Sequence, residues 1–251
     1  MTITASIVTY NNEDTLENAI KSVMEYTGTS DFRLFLIDNG SEDGTLSIEE
    51  RYEKIYPNIT LIKNGENIGF GAGHNKVLNL VDSDYHVIIN PDIELKSDVI
   101  HKICAYMNQN EDVVQVMPRV LNVSGTEQLL PKYGPTVRYC IISKFPGFRW
   151  LRRKYTRADE VFTKPTLVEF CSGCFNVVRT TVFKEEGGFD EKYFLYCEDA
   201  DLSNKLMGHG KLIFYTDACV THVWKRDNMG KAKFVFMKSL MYYFKKWGFK
   251  F

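Results

Sequence analysis

Short apolar runs at 3–8, 32–37, 59–62, 85–89 and 113–117 alternate with stretches of helical spacing, and this alternation restricts the fold more than any single motif. Each run reads as a buried strand. Leu16, Ala19, Ile20, Val23 and Met24 recur at a helical period, as do Val99, Ile100 and Ile103, and a helix through Val77, Leu78 and Leu80 is expected after 64–75. Strand–helix alternation predicts a mostly parallel, Rossmann-like α/β sheet with helices on both faces. In such a sheet, ligands bind beyond the carboxyl ends of the strands.

The polar clusters follow those ends. Thr9-Tyr-Asn-Asn12, Asp38-Asn-Gly-Ser-Glu-Asp43 and Asn90-Pro-Asp92 each close an apolar run. Any one of them alone is an ordinary turn; together they are expected to converge on one crevice. The glycine segment Gly69-Phe-Gly71-Ala-Gly73 lacks the spacing of a dinucleotide fingerprint and follows the third strand, not the first. It allows the backbone to approach a ligand at a helix start, as suits phosphate or sugar. In Asn90-Pro-Asp92, proline stiffens the turn and Asp92 offers a hard oxygen suited to Mg²⁺ or Mn²⁺ on a diphosphate. One carboxylate is a sparse site, needing substrate phosphates, water and a distant ligand. His222, just past an apolar stretch, is ordinarily structural and becomes a candidate ligand if the fold brings it to Asp92.

Further on, Gly188-Phe-Asp-Glu-Lys-Tyr-Phe-Leu-Tyr-Cys-Glu-Asp-Ala-Asp-Leu-Ser203 packs acids among aromatics. Carboxylates crowded this way keep their charge only with a metal or cationic partner; otherwise their pKa rises. Leu202, Leu206 and His209 then follow helical spacing, stopped by Gly208 and Gly210, which puts Glu198 and Asp199 at a helix start, where the dipole favours anions. A capped helix with a solvated acidic first turn would look the same. Cys171-Ser-Gly-Cys174 interrupts strand character at 167–178 and lacks a second ligand pair for zinc, so burial is the expected fate of both thiols. Residues 122–165 are irregular and rich in Arg and Lys, either an active-site lid or a solvated surface excursion. Phe234, Met237, Leu240, Met241, Phe244 and Trp247 recur at helical spacing among lysines. That is the pattern of an in-plane membrane helix, and also of a helix packed on its own domain or on a second subunit.

A chain of 251 residues suits one large α/β domain, and a net charge of -1 gives no argument for nucleic acid. Six cysteines in this length are no disulfide framework and point to a reducing cytosol. The first ten residues lack a basic n-region, so no signal peptide is expected, and no run approaches a bilayer span.

With these residues in hand, the chain resembles family 2 glycosyltransferases of the GT-A fold, most of all the rhamnosyltransferase-like branch of bacterial polysaccharide assembly. The resemblance is carried by Val8-Thr-Tyr-Asn11, Ile37-Asp-Asn-Gly-Ser-Glu-Asp-Gly-Thr45, Asn67-Ile-Gly-Phe-Gly-Ala-Gly-His-Asn75, Asn90-Pro-Asp92, Ser172-Gly-Cys-Phe, the stretch 187–202 and Thr221-His222. It implies a glycosyltransferase domain over 1–224, with a nucleotide-sugar half at 1–120 and an acceptor half at 121–224, and a basic amphipathic tail at 225–251. It also implies that Thr9, Asn11, Asp38, Asn67, Gly71 and Asn90 lie against the donor, with Thr9 and Asp38 at its base and ribose. Asp92 and His222 would hold Mn²⁺ or Mg²⁺, Asp199 would be the base of an inverting transfer, and Glu198 would shape the acceptor pocket. Asn90 stands where many members have Asp. The implied partners are a nucleotide sugar such as dTDP-rhamnose or a UDP-sugar, a glycan or lipid-linked acceptor, and the inner face of the cell membrane through 230–251; a homodimer is a further possibility. Two other readings fit less: a non-catalytic scaffold dimerising through its last helix, and another nucleotide-using α/β transferase.

Overall fold

Ile3, Ala5 and Ile7 alternate with Thr4, Ser6 and Val8 along the first strand, and all six side chains are buried. A strand covered on both faces belongs at the centre of a sheet. The computed structural model, which describes residues 1–29, 31–223 and 229–251 and side chains only from 233 in the last stretch, places it there. The order is β1 (Ile3–Thr9), α1 (Leu16–Thr27), β2 (Phe32–Asp38), α2 (Thr45–Ile55), β3 (Ile59–Lys63), α3 (Phe70–Asn75), β4 (Tyr85–Ile89), β5 (Ile93–Leu95), α4 (Val99–Gln109) and β6 (Val113–Asn122). It continues through α5 (Val137–Cys140), a 3-10 turn (Ile142–Lys144), α6 (Arg149–Tyr155), β7 (Thr166–Leu167), β8 (Phe175–Arg179), α7 (Thr180–Glu185), α8 (Glu198–Leu206), β9 (Lys211–His222) and α9 (Met229–Trp247).

One sheet runs β3-β2-β1-β4-β8-β6-β9-β5, with β7 on β9. The β3-β2-β1-β4 half is parallel. β8 joins β4 and β6 antiparallel, and β6 and β9 are parallel again. The sheet is therefore mixed beyond β4, because β8 returns through the loop at 171–174 and not through a crossover helix. On one face, Ile3, Ile7, Leu34 and Val87 pack under Leu16, Ile20 and Val23 of α1 and Ile100 and Ile103 of α4. On the other, Ile88, Val178 and Phe214 pack with Phe183, Phe189, Leu202 and Leu206. This face also carries a polar line: Ser6 Oγ lies 2.8 Å from His86 Nε2 and 2.7 Å from His74 Nδ1, and Thr4 Oγ1 lies 2.8 Å from His86 Nδ1. Burial keeps both imidazoles neutral, holding His86 down to about 3.

Some expectations need correction. The helix after the glycines is Phe70–Asn75, not a helix through Val77, Leu78 and Leu80, which form turns. Val77 and Val81 are buried against Val8, Phe35 and Ile37 all the same, so their spacing reported burial, not helix. The strand character at 167–178 divides into β7 and β8 around the Cys171–Cys174 loop. Cys171 and Cys174 are buried and unbridged, in different core clusters. Residues 122–165 fold in part as α5, the 3-10 turn and α6. In α9, Leu240, Tyr243 and Phe244 are buried against Tyr193, Cys197 and Ala200, so these positions cannot face a bilayer. Phe234, Met237 and Met241 remain exposed. The boundary expected at 224/225 lies outside the described residues.

Candidate functional site

The carboxyl end of the parallel half gathers the first group of residues. The β1/β2 register sets Thr9 beside Asp38. Asp38 accepts hydrogen bonds from the N–H groups of Gly40 (3.0 Å) and Ser41 (3.1 Å), which fold the loop after β2 around its carboxylate. Thr9 is turned inward and donates to Glu49 Oε1 at 2.8 Å. Asn11 takes a left-handed φ of 57°, and its Oδ1 accepts the Glu42 N–H at 2.8 Å, tying the first loop to the second. Asn67 Oδ1 accepts the Gly69 N–H at 3.0 Å. Asn39 donates to the Gly69 carbonyl at 3.1 Å and accepts from Asn64 Nδ2 at 2.7 Å. Thr9, Asn11, Asp38 and Asn67 thus share one end of the sheet. Gly71 differs: a Cβ there would sit 2.8 Å from Phe189 Cβ, so packing beneath the 189–194 loop accounts for its glycine.

Asn90 and Asp92 follow β4. The Asn90 N–H donates to the Cys174 carbonyl at 2.8 Å. β5 then pairs Ile93 with His222 on β9, and the Val223 N–H donates to the Asp92 carbonyl at 2.8 Å. The distant histidine expected from the sequence is therefore brought to the carboxylate: His222 Nε2 lies 3.1 Å from Asp92 Oδ1. The two atoms are buried and face each other without an aligned hydrogen bond or another partner among the described residues. His222 Nδ1 sits 3.4 Å from Gln128 Oε1. A proton on Nδ1, shared with that amide oxygen, leaves the Nε2 lone pair directed at Asp92, the usual arrangement of a ligating histidine. One carboxylate oxygen and one imidazole nitrogen fit a divalent cation whose remaining ligands are diphosphate and water. Among the described residues no third His, Cys, Asp or Glu joins them.

The second carboxylate group begins α8. Tyr196 and Cys197 both take left-handed backbone, φ 69° and 66°. Consecutive non-glycine residues there store strain of about 1–3 kcal/mol each, and the bend presents Glu198 and Asp199 at the helix start. Glu198 is 6% exposed, with Oε2 unpartnered among the described residues. Asp199 is half-buried and accepts N–H donors from Gly173 (3.2 Å) and Ala200 (2.9 Å). Burial pushes both carboxyls up, and for Glu198 the neighbouring Asp199 charge adds to the rise. The backbone donors favour the ionised form of Asp199. Of the two, Glu198 is held further above the ordinary carboxyl range.

One short loop joins both groups. Gly173 holds Asp199 while its neighbour Cys174 holds Asn90. A Cβ on Gly173 would lie 3.4 Å from Asp199 Cβ and 3.3 Å from Phe70, so a side chain here would fit only tightly against both. Behind α8, α9 supplies a charged brace: Lys246 Nζ reaches Asp190 (2.7 Å) and Asp201 (2.9 Å), and Trp247 Nε1 donates to Asp201 at 2.7 Å. In front of Glu198 and Asp199 lies a cavity of about 800 Å³ between α5, α6 and α9.

The sequence reading missed Asn39, Glu49 and the α9 brace. Glu49 carried a signal, since Thr45, Glu49 and Tyr52 share the buried face of α2. The brace carried none, because Asp201 and Trp247 are far apart in sequence.

Glycosyl transferase family 2 matches residues 4–187. The chain is 26% identical over 238 residues to the N-acetylglucosaminyl-diphospho-decaprenol L-rhamnosyltransferase of Mycobacterium tuberculosis, covering 89% of this chain and 76% of that protein. It is 27% identical over 234 residues to rhamnosyltransferase WbbL of Escherichia coli K12, covering 88% and 83%. Among solved structures, GalNAc-T7 with UDP, GalNAc and Mn²⁺ aligns with a TM-score of 0.72 at 16% identity, over 98% of this chain; the chain spans about half (48%) of that protein's length. The mannosyltransferase PcManGT of Pyrobaculum calidifontis, with GDP-Man and Mn²⁺, gives 0.66 at 15% identity, over 97% of this chain and 63% of that one. These likenesses establish the GT-A fold, and the family match, which spans well over half the chain, establishes that this protein is a member of glycosyltransferase family 2 with rhamnosyltransferases among its relatives.

Proposed function

We propose that the chain is an inverting, metal-dependent glycosyltransferase that moves a sugar from a nucleotide sugar, dTDP-rhamnose or a UDP-sugar, to a hydroxyl of a lipid-linked or cell-surface glycan. The observation that carries this reading is the 171–174 loop, which latches the Asn90–Asp92 turn on one side and Asp199 on the other. Two carboxylates with different duties are thereby held by one rigid piece of backbone, as direct displacement requires.

Thr9, Asn11, Asp38 and Asn67 form the donor end, with Asp38 and its loop N–H groups towards the base and ribose. Glu49 supports Thr9 from below. Asp92 and His222 hold the divalent cation, which when bound neutralises charge on the departing nucleoside diphosphate. Asp199 accepts the proton of the acceptor hydroxyl as that oxygen attacks the anomeric carbon opposite the leaving group. The new glycosidic bond forms as the bond to the diphosphate oxygen breaks, and no glycosyl-enzyme intermediate is needed. Glu198, whose burial favours its neutral form, lines the acceptor cavity beside the base.

A site at the cytoplasmic membrane face agrees with free cysteines and with the exposed Phe234, Met237 and Met241 of α9. The test is calorimetric titration with a panel of nucleotide sugars in Mn²⁺, Mg²⁺ or chelator. Metal-dependent binding of one donor is expected; a folded sample that binds none would overturn the reading.

A further inference from the structure

A short hairpin after β6 carries a line of polar side chains to His222. Asn122, the last residue of β6, stands opposite His222 in the β6/β9 register. The chain then turns back on itself. Gly125 takes a φ of 81°, its N–H donates to the Asn122 carbonyl, and the Asn122 N–H donates to the Thr126 carbonyl, each at 2.8 Å. The return limb bridges Glu127 to Leu121 and is tied down by the Arg119–Glu127 ion pair, and the Gln128 N–H donates to the Val120 carbonyl at 2.8 Å. Along the side chains, Asn122 Nδ2 donates to Thr126 Oγ1 at 2.9 Å and Gln128 Nε2 donates to Asn122 Oδ1 at 2.9 Å. Gln128 Oε1 is the atom left for His222 Nδ1, 3.4 Å away. An amide oxygen only accepts, so the ring nitrogen facing it carries the hydrogen. Run in the opposite sense, the line would put that hydrogen on Nε2, which is buried and has no aligned acceptor among the described residues, leaving a costly unmet donor. In the observed sense, Nε2 and Asp92 Oδ1 face each other as two acceptors 3.1 Å apart. Two ligands at a right angle on one cation, each about 2.1 Å from it, stand about 3 Å apart.

We infer that the 122–128 hairpin sets the divalent-cation site: Gln128, itself oriented by Asn122, is a positioning residue that holds His222 as the Nδ1–H tautomer and so keeps Nε2 open to metal. The inference rests on the reading of Asp92 and His222 as the cation pair, and deepens it by naming what makes this histidine a ligand. A neutral amide orients the ring without adding charge, whereas a carboxylate in its place would also make the imidazole a stronger donor to metal.

The test reads the ring itself, by long-range proton–nitrogen correlation spectra of the metal-free chain at mildly alkaline pH, where an imidazole is ordinarily neutral. His222 is assigned by the signals that His222→Ala removes. Wild type is expected to show the Nδ1–H tautomer. Gln128→Leu keeps the bulk of the side chain but removes the acceptor, and shifts the ring towards Nε2–H; Gln128→Glu keeps Nδ1–H. Mn²⁺ alone is then titrated into the same samples and followed by broadening of the His222 signals. The midpoint is about tenfold higher in Gln128→Leu, the scale of a lost partner behind a ligating histidine, and no higher than wild type in Gln128→Glu. Asn122→Ala, which frees the Gln128 amide to turn over, moves both readings in the direction of Gln128→Leu. A wild-type ring in the Nε2–H tautomer, or one that Mn²⁺ does not broaden, overturns the inference. So does a Gln128→Leu chain with a lower melting temperature but an unchanged tautomer and midpoint, the result of a purely structural glutamine. A chain that shows the tautomer and the Mn²⁺ response but binds no nucleotide sugar sinks the glycosyltransferase reading instead and leaves the cation site standing.

Discussion

Trp247, near the end of the chain, donates its indole N–H to Asp201 at 2.7 Å, and Asp201 lies two residues beyond Asp199 on the same helix. Asp201 is fully buried and is also held by Lys246 and by the Tyr193 hydroxyl at 3.3 Å. The last helix is therefore part of the active-site frame. Trp247→Phe keeps most of the packing and removes one donor from a buried carboxylate, which costs about 1–3 kcal/mol. The expected outcome is a lower melting temperature and a kcat reduced severalfold, with donor affinity unchanged. Unchanged stability and kcat would contradict the bracing role.

The same frame changes how membrane contact is tested. Deleting 230–251 would strip Leu240, Tyr243 and Phe244 from the core and confound binding with unfolding. Replacing exposed Phe234, Met237 and Met241 with Ser leaves the buried stripe intact. That triple variant is expected to lose most of its binding to anionic vesicles in a flotation assay while melting normally. Wild-type protein that fails to float would count against the membrane reading and leave a second subunit as the cover for this stripe.

Glu49 gives a pH prediction. Burial raises its carboxyl from 4.5 to about 8, against the Thr9 hydrogen bond that lowers it. A folded pKa above the unfolded value means that stability is full below about 4.5 and is lost as pH rises through about 8. At about 1.4 kcal/mol per unit, the loss is on the order of 5 kcal/mol. Glu49→Gln keeps the acceptor for Thr9 and removes the titration. It is expected to melt higher than wild type at pH 9 and to flatten the decline between pH 5 and 9, as read by calorimetric melting.

Asp92 and His222 should act together on the metal. Asp92→Ala is expected to weaken donor binding at least tenfold in Mn²⁺ and little in chelator, and His222→Ala less so, since loss of a ligand commonly costs a factor of ten or more in metal affinity. Donor affinities unaffected by either change would remove the pair from the donor site.

Much of this was legible in the chain. Local period fixed the strands at 3–8, 32–37 and 85–89, because a strand buried on both faces is an unbroken apolar run. It failed at Val77 and Leu80, where turns bury the same residues that a helix would. Asp92 and His222 were readable as types, but only the β5/β9 register makes them neighbours. The Gly173–Asp199 bond was invisible, since it is made by a backbone N–H. The apolar stripe of α9 was read as one face, yet it divides between core and surface, and sequence period does not distinguish a protein neighbour from a lipid one.

The most direct measurement pairs a transfer assay with donor titration on Asp199→Asn. The amide keeps the size of the side chain and its hydrogen bond from Gly173 but cannot take a proton. The account predicts transfer reduced by about 10²–10⁴-fold, the usual contribution of a positioned base, with nucleotide-sugar affinity within about twofold of wild type. Transfer close to wild type, or loss of donor binding along with activity, would contradict Asp199 as the base.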